Sequence, residues 1–257
     1  MPDYQQRKAF FDGMLTIYGR KPVLEALQDD SLPIYRLHLA DSNRRGAVID
    51  ELLGHAARRN IETLYHSREA LARISRNGKQ DQGVACDIQL PAYRPLKSHL
   101  KNLDPAQGLR LLAVDRVTNP QNLGMIVRSV AAGFLDGLVL ARKGNAAISP
   151  LVIKASAGAL FRCPILHCDQ LSDALRDLRQ AGCTIVGLSS HAEQSLFDYR
   201  PPARLIYVVG NETDGVSAEV NALATQRLRI PMNNGVESLN VAITASLLAF
   251  YCRTSDV

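Results

Sequence analysis

The chain has 257 residues, of which 46% are hydrophobic and 21% charged, with a formal net charge of +5. This composition supports a packed core and excludes a disordered chain, and the length fits one large domain or two ordinary ones. No apolar run reaches bilayer length, and residues 1–13 mix Asp, Arg and Lys with aromatics where a signal peptide would be apolar, so a cytoplasmic protein with no membrane partner is expected.

Charge is spread evenly. Residues 1–91 carry 13 Lys+Arg against 12 Asp+Glu, residues 92–107 carry 3 against 1, and residues 108–257 carry 14 against 12. There is no basic tail, so folding must assemble any nucleic-acid surface from scattered arginines. The five cysteines (Cys86, Cys163, Cys168, Cys183 and Cys252) are odd in number and form no C-x-x-C, which argues against a disulfide framework. Cys163, His167 and Cys168 match no zinc spacing and lie on a strand-like segment, so no metal is expected.

In chain order, residues 22–27 open a short helix with Pro22 near its first turn. Residues 34–39 alternate as a strand does, and Val48, Leu52 and Leu53 mark a helix over 47–57. Residues 61–65 and 84–88 read as strands, with a polar loop at 75–83 between them. Pro91, Pro95 and Pro105 fall in an aperiodic stretch, giving expected domains at 1–91 and 108–257 joined by a linker at 92–107. Beyond it, residues 111–114 form a strand, and Leu123, Ile126, Val127 and Val130 share one face of a helix over 122–132. A strand at 138–140 follows, then a helix marked by Leu171, Leu175 and Leu178 and closed by Gly182. The continuous apolar runs at 184–188 and 205–209 suit a parallel sheet covered on both faces. A strand at 228–230 and a helix at 239–251 complete an α/β domain preceded by a smaller α/β domain.

Three polar loops follow strands, where ligands collect in open α/β sheets. In the first, residues 115–124, Gln121 and Asn122 can cap a helix that carries Arg128 about one turn beyond Gly124. A guanidinium there could grip a phosphate, although an ordinary cap and a surface arginine account for the loop equally well. In the second, Gly210 and Gly215 bracket Glu212 and Asp214. Acids without a nearby lysine suit hydroxyl or ammonium groups rather than phosphate, but a plain glycine-rich turn would also explain the loop taken alone. The third, residues 230–240, holds Asn233, Asn234, Glu237, Ser238 and Asn240, more polar groups than one helix cap requires, with Ser238 placed to cap a helix starting at Leu239. No P-loop, strand-following G-x-G-x-x-G, H-E-x-x-H or G-x-S-x-G occurs.

Taken together, the loops resemble the SpoU/TrmH family of RNA ribose methyltransferases. Asn122-Leu123-Gly124 through Arg128 resembles the first family motif. Gly210-Asn211-Glu212 with Gly215 resembles the second, and Ile230-Pro231-Met232 with Ser238-Leu239-Asn240 the third. More loosely, residues 18–23 and Gln82-Gly83-Val84 resemble the ribosomal-protein-like RNA-binding domain that precedes the catalytic domain in many members. The resemblance implies a C-terminal parallel sheet with a trefoil knot, S-adenosyl-L-methionine as cofactor, a homodimer, and RNA as substrate. Ribosomal RNA is preferred and transfer RNA is the alternative, as is a non-catalytic RNA-binding protein that kept the fold. It implies Asn122, Arg128, Glu212, Ser238 and Asn240 at the reaction and Gly210, Ile230, Met232 and Leu239 at the cofactor. A guanidinium holds its proton too firmly to be an easy base, so positioning the ribose or phosphate is as credible for Arg128. Arg76, Lys79 and Gln80, in the loop at 75–83, are candidate RNA contacts.

Overall fold

The computed structural model describes residues 14–90, 93–104, 106–211 and 213–254, with residues 252–254 described by backbone only. The chain divides into two compact units between residues 92 and 93.

The first unit runs β1 (Met14–Tyr18), α1 (Arg20–Gln28), β2 (Ile34–Ala40), α2 (Ala47–Arg58), β3 (Glu62–His66), α3 (Arg68–Ser75) and β4 (Val84–Gln89). Its sheet has the order β1-β4-β2-β3, antiparallel except for the β2–β3 pair. Leu27, Leu37, Leu39, Leu52, Leu71 and Ile88 are buried in it. A polar row crosses the sheet. Thr16 Oγ1 donates to Asp87 at 2.6 Å, His38 Nε2 meets the other Asp87 oxygen at 3.0 Å, and His38 Nδ1 meets His66 Nε2 at 3.0 Å. Burial opposes ionisation of Asp87, but the hydrogen bonds from His38 and Thr16 outweigh it and hold the carboxyl below its usual range.

The second unit comprises β5 (Arg94–Pro95), α4 (Leu96–Lys101), β6 (Leu109–Asp115), α5 (Pro120–Ala132), β7 (Gly137–Ala141), α6 (Pro150–Ser156), β8 (Ile165–Cys168), α7 (Leu171–Gln180), β9 (Thr184–Leu188), β10 (Arg204–Gly210), α8 (Ala218–Asn221), β11 (Gln226–Leu228) and α9 (Val241–Thr254). Its seven strands are all parallel in the order β11-β9-β10-β6-β7-β8-β5. Both faces are covered, as the apolar runs predict. Leu111, Val139, Ile185 and Ile206 pack in one cluster with Leu96 and the α7 leucines, while Leu112 and Tyr207, one residue on and therefore facing the other way, are also buried.

The expected linker at 92–107 is corrected. Arg94 and Pro95 pair with β8 at the sheet edge, and Leu96, buried, joins the core of the second unit. Proline suits an edge strand, where no partner requires its missing N–H, and here it leads directly into α4 rather than breaking order. The last strand ends at Leu228, two residues before the expected 228–230 run does.

Helices α5 and α6 approach each other at Gly124. A Cβ added there would lie 2.5 Å from the Ala155 Cβ and 2.7 Å from the Val152 carbonyl oxygen. Gly124 is therefore a helix-packing residue. Gly124→Val is expected to cost about 1–3 kcal/mol by overpacking, read as a lower denaturant midpoint at unchanged m-value. Wild-type stability in the variant would refute this packing role.

Candidate functional site

The carboxyl ends of β9, β10 and β11 and the start of α9 surround a cavity of about 520 Å³. The loop after β10 is closed on itself. Asn211 Oδ1 accepts the backbone N–H groups of Thr213 (2.9 Å) and Asp214 (2.7 Å), and the Gly215 N–H donates to the Asn211 carbonyl at 3.1 Å. A Cβ on Gly210 would collide with the Gly215 backbone, and Gly215 itself sits at φ +65°, so both glycines are required by the turn. The neighbouring strand holds this loop in place. Asp115 Oδ2, at the end of β6, accepts the Ser217 N–H at 2.6 Å. Arg116, at φ +57°, donates to the Gly215 carbonyl at 3.4 Å and pairs with Asp214 at 3.6 Å.

Four residues expected at the cofactor (Gly210, Ile230, Met232 and Leu239) line the cavity, and so does Ser238. Sequence reasoning missed Ser189, Ser190 and Thr244, which also line it. The two serines follow β9, whose carboxyl end was itself a usable signal in a parallel sheet. Thr244 lies one turn inside α9 and had no such signal. Among the described lining residues there is no Lys, Arg or His, while Asp214 and Glu237 supply negative charge.

Two cap assignments change. Asn119, not Gln121 or Asn122, caps α5, its Oδ1 accepting the Gln121 N–H at 2.8 Å. Helix α9 starts at Val241, and Asn240 Oδ1 accepts the Ala242 N–H at 2.8 Å. Ser238 is thereby released from capping and faces the cavity. Asn122 is buried, and its Oδ1 accepts from Asn240 Nδ2 at 3.3 Å, joining the first and third loops across 118 residues. Arg128 is exposed on α5, does not line the cavity, and makes no hydrogen bond or ion pair among the described residues. Glu212 lies outside the described residues. In the first unit, Arg76, Lys79 and Gln80 are exposed, and Arg76 ends α3 in the left-handed region.

Burial pushes the Cys163 thiol up to about 12, and burial with Asp169 and Asp173 pushes Cys168 up to about 11. Burial and then the Arg142 charge lower His167, whose ring meets Tyr93 edge-on at 4.6 Å. No group of three His, Cys, Asp or Glu side chains among the described residues could hold a metal ion.

Residues 110–250 match the model of the SpoU rRNA Methylase family, and residues 16–94 match that for RNA 2'-O ribose methyltransferase substrate binding. The chain belongs to the SpoU rRNA methylase family. Among its relatives, an uncharacterized tRNA/rRNA methyltransferase of Mycolicibacterium gilvum is 32% identical over 246 residues, covering 95% of this chain and 77% of that protein. A second, from Mycobacterium avium, is 32% identical over 237 residues, covering 91% and 75%. The fold matches that of the SpoU methyltransferase AviRb from Streptomyces viridochromogenes, in complex with AdoMet, with a TM-score of 0.66 at 23% identity over 99% of this chain and 94% of that one. It also matches an AdoMet-bound rRNA methyltransferase from Sinorhizobium meliloti, with a TM-score of 0.65 at 23% identity over 99% and 92%.

Within this SpoU chain, Arg116 joins Asp115 in tying the end of β6 to the loop after β10. Arg116→Ala is expected to speed backbone amide exchange at residues 213–217 on the order of fivefold, equivalent to about 1 kcal/mol of local stability. Unchanged exchange at those amides would show that the Arg116 contacts do not hold the loop.

Proposed function

We propose that this protein transfers the methyl group of S-adenosyl-L-methionine to a ribose 2′-hydroxyl of RNA, with ribosomal RNA as the preferred substrate. The observation that carries the cofactor reading is the charge of the cavity. Its described lining has no basic side chain, and of its two acids Asp214 is paired with Arg116 while Glu237 is in no ion pair among the described residues. Such a lining suits a nucleoside of net positive charge, with an ammonium and a sulfonium against one carboxylate and no phosphate, and it disfavours nucleotides. Apolar Ile230, Met232 and Leu239 offer surface to a base, and the closed turn from Gly210 to Gly215 offers backbone groups at close range.

S-adenosyl-L-methionine supplies an electrophilic methyl group. The residues of this chain have to position the hydroxyl in line with it and help its proton leave. Ser238 stands at one wall, and the bond from Asn240, two residues on, to Asn122 ties that segment to α5. Glu212, Ser238 and Asn240 shape the hydroxyl site in this reading. Arg128, a permanent cation, positions the ribose or an adjoining phosphate.

The family's trefoil knot falls in this reading at the segment around the cavity. Its support is local: Ser195 and Arg229 form a parallel bridge, Leu196 N–H donates to the Arg229 carbonyl at 2.7 Å, and the Tyr251 hydroxyl donates to the Tyr199 carbonyl at 2.8 Å. In this reading the homodimer forms on α5 and α9, where Met125 of α5, Phe134 just past its end, and Ile243 and Phe250 of α9 are exposed. Phe134 and Phe250 meet edge-on at 5.9 Å. Large apolar side chains grouped on adjacent helices mark an interface, and Arg128 shares α5 with Met125.

Incubating the protein with labelled S-adenosyl-L-methionine and unmodified ribosomal RNA, then digesting to nucleosides, is expected to yield a 2′-O-methylnucleoside by mass spectrometry. A base-methylated nucleoside, or no transfer to any cellular RNA, would overturn the proposal. Arg128→Ala should lower kcat by roughly 100-fold or more. Full turnover in that variant would remove Arg128 from the reaction.

A further inference from the structure

The first unit is nearly neutral, with 13 Lys+Arg against 12 Asp+Glu over residues 1–91. Its positive charge is nevertheless gathered locally. Arg20, Arg44 and Arg68 line one open cleft of about 570 Å³, together with Ser42, Asn43 and Gln82. None of the three arginines is in an ion pair among the described residues.

The cleft is built rather than incidental. Arg20 donates to the Gln82 carbonyl at 3.4 Å and to Asn43 Oδ1 at 3.3 Å, and its backbone N–H donates to Gln82 Oε1 at 3.1 Å. Asn43 Nδ2 donates in turn to the Gly83 carbonyl at 2.6 Å. Neutral oxygens therefore fix the Arg20 guanidinium in place and leave its charge uncancelled.

Two helices begin at the same cleft. Arg20 is the first residue of α1, which has no acidic residue in its first turn and no side-chain cap, and Arg68 is the first residue of α3. Their aligned peptide dipoles add positive potential to the side-chain charge. The acids closest in sequence are Asp41 and Glu69. Glu69 is engaged with its own backbone N–H and with Ser67 at the start of α3.

We infer that this cleft is the site where the first unit grips a backbone phosphate of folded RNA, with Arg44 and Arg68 as its exposed jaws and Arg20 as its fixed floor. The inference rests on the RNA-methyltransferase reading above and assigns that reading's substrate a docking point. Guanidinium forks match phosphate oxygens in pairs, which a scattered lysine surface does not. Arg20 lay within a motif noted in the sequence, but only folding unites it with Arg44 and Arg68. The exposed loop that bears Arg76, Lys79 and Gln80 leads directly into Gln82 of the cleft, and its Asn77 Nδ2 donates to the Tyr18 hydroxyl at 2.9 Å.

The test uses the full chain with ribosomal RNA stripped of modifications. The double variant Arg44→Glu/Arg68→Glu is expected to raise the RNA KM at least about tenfold and to reduce the slope of log affinity against log salt by about two. S-adenosyl-L-methionine binding, measured by calorimetry on the same sample, should stay within about twofold, which shows that the variant is folded. Arg44→Lys/Arg68→Lys should recover part of the affinity. Unchanged RNA KM and salt slope in the charge-reversed variant, beside an active wild type, would overturn the cleft assignment. Absence of methyl transfer by the wild type would instead overturn the reading on which it rests.

Discussion

The parallel pairing of β10 with β6 on one side and β9 on the other is the constraint from which the site follows. Strands β6, β7 and β8 succeed one another outward, and the chain then returns across the sheet, lays down β9, and inserts β10 in the remaining place. Because every strand points the same way, the loops leaving β6, β9, β10 and β11 emerge at one end. Asp115 and Arg116 at the end of β6 then hold the loop after β10, although about 100 residues separate them in sequence. The tight turn from Gly210 to Gly215 admits no side chain at Gly210, so the backbone itself forms part of the cavity wall.

Charge divides the labour between the two units, each taken by itself. The described lining of the second unit's cavity has no basic side chain and leaves Glu237 unpaired, whereas three arginines line the cleft of the first. An overall charge of +5, spread evenly along the chain, hides both. A nucleoside that carries positive charge and a polymer that carries negative charge need opposite surroundings, and the fold supplies them in separate places. This separation explains how one modestly basic protein can serve a cationic cofactor and a polyanionic substrate.

Most of the framework was legible because continuous apolar runs and helical spacing are local signals. The strand at 184–188 and the helix carrying Leu123, Ile126 and Val127 are read directly from them. The boundaries that failed were those set by tertiary contact. Pro95 suggested a linker, yet β8 offers it an edge to pair with, and Leu96 finds a core. Ser238 looked like a helix cap, but Asn240 two residues on takes that role through Ala242. For the site, Gly210, Ile230, Met232, Ser238 and Leu239 were visible as motif residues, and they do converge on the cavity. Thr244 and the Arg116 tie were not, because nothing local separates them from ordinary helix and loop residues.

The account depends most on the lack of basic side chains in the described lining of the cavity. Titration calorimetry of the purified protein with S-adenosyl-L-methionine and, separately, with ATP tests it directly. Both carry adenosine, and they differ in the charge attached to it. Saturable binding of S-adenosyl-L-methionine with no heat from ATP is the predicted result. Binding of ATP without S-adenosyl-L-methionine, or of neither, would contradict it.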